Sequence, residues 1–322
     1  MKKNKILLWG AVPSVPDNEN FNTSYRRTGE NFGNMLIANG VTSVLKGYEY
    51  VYLSQLSGPA EADEKCDHIV LPAANWLWKG FDMGVMANFI EATKLPVTIV
   101  GLGAQTHDRS TISEIHPNTL RLVKIISERS PSLGIRGYYT AEVLAAHGIL
   151  NTDVLGCPSL YTKCVAPTDG GSFEDAPIDG FVVNFSRRVS GHSFNQFALR
   201  NIENALLKIA ISKDLPFVAQ DELNELELSQ GGGARNNCNI IAKYFSSSEE
   251  SAVCDYFKNN TRYFCNVGDW SNFLSKRTGS IGSRLHGNLL ALINSVPALT
   301  IAHDSRTLEM CALTGSPFIH VD

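Results

Sequence analysis

Arg284 and His286 stand two residues apart in Gly282-Ser283-Arg284-Leu285-His286-Gly287-Asn288, directly ahead of the apolar run Leu289-Leu290-Ala291-Leu292-Ile293. A guanidinium grips carboxylate or phosphate oxygens with a rigid fork, and an imidazole carries a proton near neutral pH. On a helix this spacing is about 200° of rotation, whereas an extended segment puts both side chains on one face. The flanking glycines allow a tight turn and a close approach to a ligand. At a strand-to-helix junction the pair would offer an anion fork and a proton carrier to one cleft, the equipment of an enzyme acting on an acidic substrate. The competing structural reading is a buried arginine ion pair beside a satisfied core histidine.

Other stretches could serve the same chemistry. Gly134-Ile135-Arg136-Gly137 places Arg136 at the end of a short strand, as an anion ligand or as half of a structural ion pair. Val97 to Gly101 runs into Gly101-Leu102-Gly103-Ala104-Gln105, which lacks the third glycine and the acidic residue of a dinucleotide fingerprint. Gly103 and Gln105 are therefore read as a turn whose amides reach a ligand. Phe185-Ser186-Arg187-Arg188 either presents hydroxyl and guanidinium groups to a ligand or forms a solvated basic turn. In His303-Asp304-Ser305-Arg306, helix capping accounts for Asp304 or Ser305 and leaves His303 and Arg306 unexplained. Cys157 has no identifiable base and reads as structural, and His68, His116, His147, His192 and His320 read as packing or solvent-facing residues.

Recurring apolar runs, each followed by a loop and a helical stretch, position these residues in a parallel α/β architecture. In the first half, strands are predicted at Lys5–Trp9, Tyr50–Leu53, His68–Leu71, Val97–Gly101, Ser132–Ile135 and Thr152–Leu155. Helical patterns cover Asn31–Asn39, Met83–Ala92, Pro117–Ser130 and Thr140–His147. The second series has strands at Gly180–Phe185, Pro216–Gln220, Tyr263–Asn266, Ser280–Gly282, Ala298–Ile301 and Phe318–Val321, with helices over Gln196–Lys213, Leu223–Leu228 and Ser247–Asn259. The expected division is a domain over 1–165, a linker over 166–177 and a domain over 178–322, with ligands beyond the carboxyl ends of the strands.

With 322 residues, 43% hydrophobic and 19% charged, the chain has the composition of an ordinary globular protein. A net charge of −4 gives no general attraction to nucleic acid or anionic lipid, so an anionic ligand must be met by local arginines. The seven cysteines form no C-x-x-C pair and read as reduced thiols; ligand spacing suggests no metal. Lys2-Lys3-Asn4-Lys5 before Ile6-Leu7-Leu8-Trp9 reads as the entry to a buried strand, because prolines break the run and no cleavage site follows. No segment has the ~20 apolar residues that span a bilayer.

Taken together, Gly282-Ser283-Arg284-Leu285-His286-Gly287-Asn288, Val296-Pro297-Ala298, His303-Asp304-Ser305-Arg306-Thr307-Leu308-Glu309 and Gly315-Ser316-Pro317 resemble the polysaccharide pyruvyl transferases. Arg136 with Thr140-Ala141-Glu142-Val143-Leu144, and Gly148-Ile149 leading to Leu155-Gly156-Cys157-Pro158-Ser159, add to the resemblance. It covers about a quarter of the chain closely. The resemblance implies a GT-B-like fold, two Rossmann-like parallel-sheet domains facing across a cleft. It also implies transfer of the enolpyruvyl unit of phosphoenolpyruvate to a sugar hydroxyl of a cell-surface polysaccharide or its precursor, giving a pyruvate ketal and phosphate. By this resemblance Arg284 and His286 match the family's Arg-x-His active-site motif and Arg136 a second arginine near the donor; from their own positions Arg306, His303, Gly103 and Gln105 are assigned to the donor as well. Asn31, Gly33, Asn34, Ser186 and Arg187 fall to the acceptor, with no cofactor beyond the phosphoenolpyruvate co-substrate.

The family often has an Asn-x-Gly-Asp pattern where this chain has Asn31-Phe32-Gly33-Asn34, so an amide stands in place of an acid. The implied setting is the cytoplasm, with membrane association through a lipid-linked acceptor as one variant; a homo-oligomer is compatible with the chain. Two other readings stay open: a nucleotide-sugar-dependent GT-B glycosyltransferase, with Glu309 as the ribose carboxylate, and a degenerate, non-catalytic sugar-binding relative.

Overall fold

The computed structural model of the protein describes residues 4–16, 19–106, 108, 112–162, 176–187, 192–245 and 249–321. Contacts divide the chain into two compact units: unit 1 is Met1–Pro13 with Leu36–Thr162, and unit 2 is Ser14–Met35 with Lys163–Asp322. The stretch Ser14–Met35, expected within a domain over 1–165, packs instead with the second half of the chain. Most of the expected linker over 166–177 lies outside the described residues.

The first half runs β1 (Lys5–Leu8), α1 (Phe21–Arg27), α2 (Asn34–Val44), β2 (Glu49–Tyr52), α3 (Pro59–Lys65), β3 (His68–Pro72) and α4 (Gly84–Ala92). It continues with β4 (Val97–Leu102), α5 (Pro117–Arg129), β5 (Leu133–Ile135), α6 (Tyr138–Ala146) and β6 (Thr152–Val154). Unit 1 carries a six-stranded sheet in the order β2-β1-β3-β4-β5-β6, every pair parallel. β3 is buried along nearly its whole length, the pattern of a strand covered on both faces. One face packs Leu7, Ile69, Leu71, Val97 and Ile99 against Ala87, Ile90, Leu122, Val123 and Ile126 of α4 and α5, while the other buries Ile6, Leu8 and Val70 with Val41 of α2.

The second half runs β7 (Phe181–Asn184), α7 (Gln196–Ser212), β8 (Phe217–Val218), α8 (Leu223–Ser229), α9 (Ala234–Tyr244), α10 (Glu250–Asn260) and β9 (Thr261–Arg262). It ends with α11 (Val267–Leu274), β10 (Gly279–Gly282), α12 (Leu285–Ile293), β11 (Ala298–Ala302), α13 (Ser305–Thr314) and β12 (Phe318–His320). Its sheet has the order β12-β11-β10-β7-β8-β9, again parallel throughout. The order doubles back at β10 and β7, and the loops beyond those strands are where open α/β sheets place ligands.

Ser14–Met35 docks onto unit 2 through backbone and rings. Val15 N–H donates to Cys265 O at 2.9 Å, and Phe32 N–H donates to Gln220 O at 2.9 Å. Phe21, Tyr25, Phe32 and Tyr263 form one aromatic cluster, with Phe32 and Tyr263 centroids 5.1 Å apart. Docking the segment this way delays the predicted Asn31–Asn39 helix, which begins at Asn34 as α2. The predicted strand at Tyr263–Asn266 sits earlier, at Thr261–Arg262, because Cys265 and Asn266 pair with Val15 and Ser14 instead.

The cysteines are not all reduced. Cys238 on α9 and Cys254 on α10 form a disulfide, the two helices bringing their Cα atoms to 5.4 Å. The pair lie 16 positions apart in sequence, a spacing that no short motif signals. Cys164 lies outside the described residues.

Candidate functional site

The turn carrying Arg284 and His286 is fixed by asparagines. Asn184, the last residue of β7, donates through Nδ2 to Ser280 Oγ and Asn288 Oδ1, each at 2.9 Å, and its Oδ1 accepts from Arg284 N–H at 3.2 Å. Asn288 Nδ2 in turn donates to Gly282 O at 3.0 Å and Thr300 Oγ1 at 3.2 Å. This network ties the first turn of α12 to β7, β10 and β11. Gly282 is required here: its φ is +155°, and a Cβ would collide with Asn184 O. The room it provides is taken by protein backbone, not by a ligand.

Helix α12 starts at Leu285, with Arg284 as its extended N-cap (φ −88°, ψ 108°). His286 is thus already helical and the pair do not share an extended face, because the strand ends at Gly282. Arg284 is 5% exposed. Its Nε donates to Glu222 Oε1 at 2.6 Å, and its terminal nitrogen contacts Glu222, Asp221 and Ser186 Oγ, the last at 2.8 Å. The expected anion fork is therefore engaged by the protein's own carboxylates. His286 is half-buried.

The acids come from elements remote in sequence. Glu222 accepts from the Gln220 N–H at 2.6 Å, and burial pushes its carboxyl up to about 8 against that bond and a bond from Ser186. Glu203 on α7 is fully buried; it accepts from Ser283 Oγ at 2.7 Å, Tyr244 OH at 2.9 Å and Ser186 N–H at 3.3 Å. Burial raises it to about 7 although all three bonds favour the ionised form. These carboxylates gave no motif, but Asp221 and Glu222 directly follow the predicted strand Pro216–Gln220, a position that could have flagged those two.

The remaining sequence-predicted residues fall into three groups. Around the same cluster, Ser186 is buried beside Arg284, and Arg187 makes a bidentate pair with Glu225 at 2.7 and 2.9 Å plus a bond to Asn224 Oδ1. Burial opposes the Arg187 charge, but Glu225 outweighs it and the guanidinium pKa rises; Arg187 is not a solvated turn residue, and Arg188 lies outside the described residues. Asn31 Oδ1 accepts from Gly33 N–H at 2.8 Å, and a Cβ on Gly33 would lie 2.8 Å from His286 Nδ1. Asn34 uses its Nδ2 on Thr28 O at 3.0 Å, a local structural bond rather than an aim at His286.

The second group is the turn after β11. His303 is fully buried with Nδ1 3.1 Å from Ile301 O, so as it stands it offers no surface to a donor. Burial lowers its pKa further than Asp304 can raise it, which keeps the ring neutral. Asp304 caps α13 through Thr307 N–H at 2.8 Å and lies 3.3 Å from Arg306. Burial works against its charge, yet Arg306, His303 and Thr307 hold its pKa below the usual range.

The third group is in unit 1. Arg136 is 1% exposed at the end of β5, its Nε donating to Gly101 O at 2.9 Å and its terminal nitrogen to Asn75 Oδ1 at 3.2 Å. Asn75 Nδ2 continues to Gln105 Oε1 at 2.8 Å, and a Cβ on Gly103 would lie 2.9 Å from Arg136 Cδ. Arg136, Gly103 and Gln105 thus come together beyond the sheet, with Asn75 as the link sequence reasoning missed.

Two parallel six-stranded sheets packed with helices define a GT-B-like α/β protein. The chain belongs to the polysaccharide pyruvyl transferase family, whose sequence model matches residues 31–305. Comparison with curated proteins finds no match. Among solved structures it is similar to S. aureus MnaA determined with UDP (TM-score 0.50, 14% identity, covering 100% of this chain and 85% of that one). It is equally similar to a Listeria monocytogenes protein named as a UDP-N-acetylglucosamine 2-epimerase (TM-score 0.50, 12% identity, covering 100% and 85%). At such identities the likeness is one of fold. Among the described residues, no helix is long and apolar enough to cross a membrane.

Proposed function

We propose that the protein transfers the enolpyruvyl unit of phosphoenolpyruvate to sugar hydroxyls, releasing phosphate and leaving a pyruvate ketal. The observation that carries this reading is the β10–α12 turn: a half-buried His286 beside an Arg284 locked in place by Glu222, Asp221 and Ser186, in a chain of this family. In the reaction one hydroxyl oxygen bonds to C2 of phosphoenolpyruvate and a proton reaches C3. Phosphate then departs from C2, and a second hydroxyl closes the ketal, its proton leaving with the phosphate. His286 is the proton carrier, since it is the titratable group of the turn with exposed surface. Arg284 holds the turn and supplies positive charge against the departing phosphate, to the extent its carboxylates leave it.

The test is phosphate release from phosphoenolpyruvate in the presence of a panel of nitrophenyl and lipid-linked sugars. The wild type releases phosphate in an acceptor-dependent way, and His286→Ala loses about 100- to 10,000-fold. No release with any acceptor, together with thermal stabilisation by a uridine diphosphate sugar, would overturn the reading.

A further inference from the structure

Gln220, just beyond β8, is 1% exposed, yet its Nε2 has no hydrogen-bond partner among the described residues. A buried donor left unbonded costs stability, so an oxygen acceptor brought to it would be bound favourably. Glycines flank this amide on both sides. A Cβ on Gly33 would collide with Gln220 Oε1, and one on Gly287 would lie 3.3 Å from Gln220 Nε2. That same Gly33 Cβ would stand 2.8 Å from His286 Nδ1 and 2.9 Å from Asn31 Oδ1, so two amide oxygens and the imidazole close in on Gly33, beside the Gln220 amide.

Charge selects what can enter it. Arg284 faces both Asp221 and Glu222, Arg187 is matched by Glu225, and Glu203 lies behind Ser186 and Ser283. Among the described residues of this cluster, carboxyl groups outnumber guanidiniums. Both guanidiniums are already paired with carboxyl groups, so a phosphate brought here meets no surplus of positive charge. An uncharged polyol meets amide donors, amide acceptors and carboxylate acceptors, all of which suit hydroxyl groups.

We infer that Gln220, with Asn31, hydrogen-bonds a hydroxyl of a neutral sugar held beside His286, and that Gly33 and Gly287 are small so that the amide can reach it. The inference rests on the pyruvyl-transfer reading only in calling that sugar the acceptor.

Calorimetric titration tests it without turnover. The nitrophenyl β-glycosides of glucose, galactose, mannose and N-acetylglucosamine are each titrated into the protein in the absence of phosphoenolpyruvate, which is titrated separately. At least one glycoside should bind saturably, and Gln220→Leu and Gly33→Ala should each weaken it about tenfold or more, the loss of one or more hydrogen bonds. Phosphoenolpyruvate affinity should stay within about twofold of wild type in Gln220→Leu by the same conversion. Asn31→Ala provides the same comparison if Gln220→Leu does not fold. Glycoside binding unchanged in these variants, phosphoenolpyruvate binding lost in place of it, or no glycoside bound at all overturns the inference. Glycoside binding that depends on Gln220 without any phosphate release leaves the inference standing and removes the pyruvyl-transfer reading.

Discussion

Arg284 shows how one residue type can be recognised in sequence while its setting is not. Its spacing from His286 pointed to chemistry, and the chain belongs to the family that this motif resembles. The carboxylates that hold it lie 62 and 63 residues away, at Glu222 and Asp221, and no local pattern announces a partner at that range. Removing the guanidinium leaves two carboxylates without their cation, one of them fully buried. Arg284→Ala should therefore cost about 3–5 kcal/mol in urea unfolding carried out above pH 8, where Glu222 is ionised. A loss under about 1 kcal/mol, the scale of exposed pairs, would show that the ion pair is not formed in solution.

At the scale of elements, β1, β3 and β4 of unit 1 were legible because each is an apolar run bounded by turn residues. The two-residue strands β8 and β9 carry too little pattern for their ends to be set by sequence. Helix α1 buries only Ser24 and Tyr25, so its apolar stripe is too thin to read. Helix α7 carries a consequence that sequence does not show, the fully buried Glu203. Its pKa is raised from 4.5 to about 7, so the neutral form is the one the fold favours. The stability it contributes is complete below the unfolded value of 4.5 and is lost as pH rises through about 7; Glu222, raised to about 8, extends the loss upward. Melting temperature should fall between about pH 5 and pH 8, and Glu203→Gln should flatten that fall by about 3 kcal/mol in unfolding free energy. A melting temperature that climbs over this window would contradict the burial of these acids.

For the whole molecule, alternation of strand and helix was enough to give two parallel sheets, and the family and structural likenesses agree with that fold. It was not enough to show that Ser14–Met35 belongs with unit 2, since that depends on ring contacts between Phe32 and Tyr263 and a backbone bond to Gln220. The misplacement matters because this segment brings Asn31 and Gly33 to His286. The central claim is that carbon C3 of phosphoenolpyruvate gains a proton while C2 gains sugar oxygens. Carrying out the reaction in deuterated water with an accepted glycoside tests it most directly, by proton and carbon NMR of the product. The account predicts a monodeuterated methyl group on a ketal carbon attached to the sugar, absent with His286→Ala. Vinyl protons that persist unchanged across the acceptor panel, or a product that gains a hexose from a nucleotide sugar instead, would contradict it.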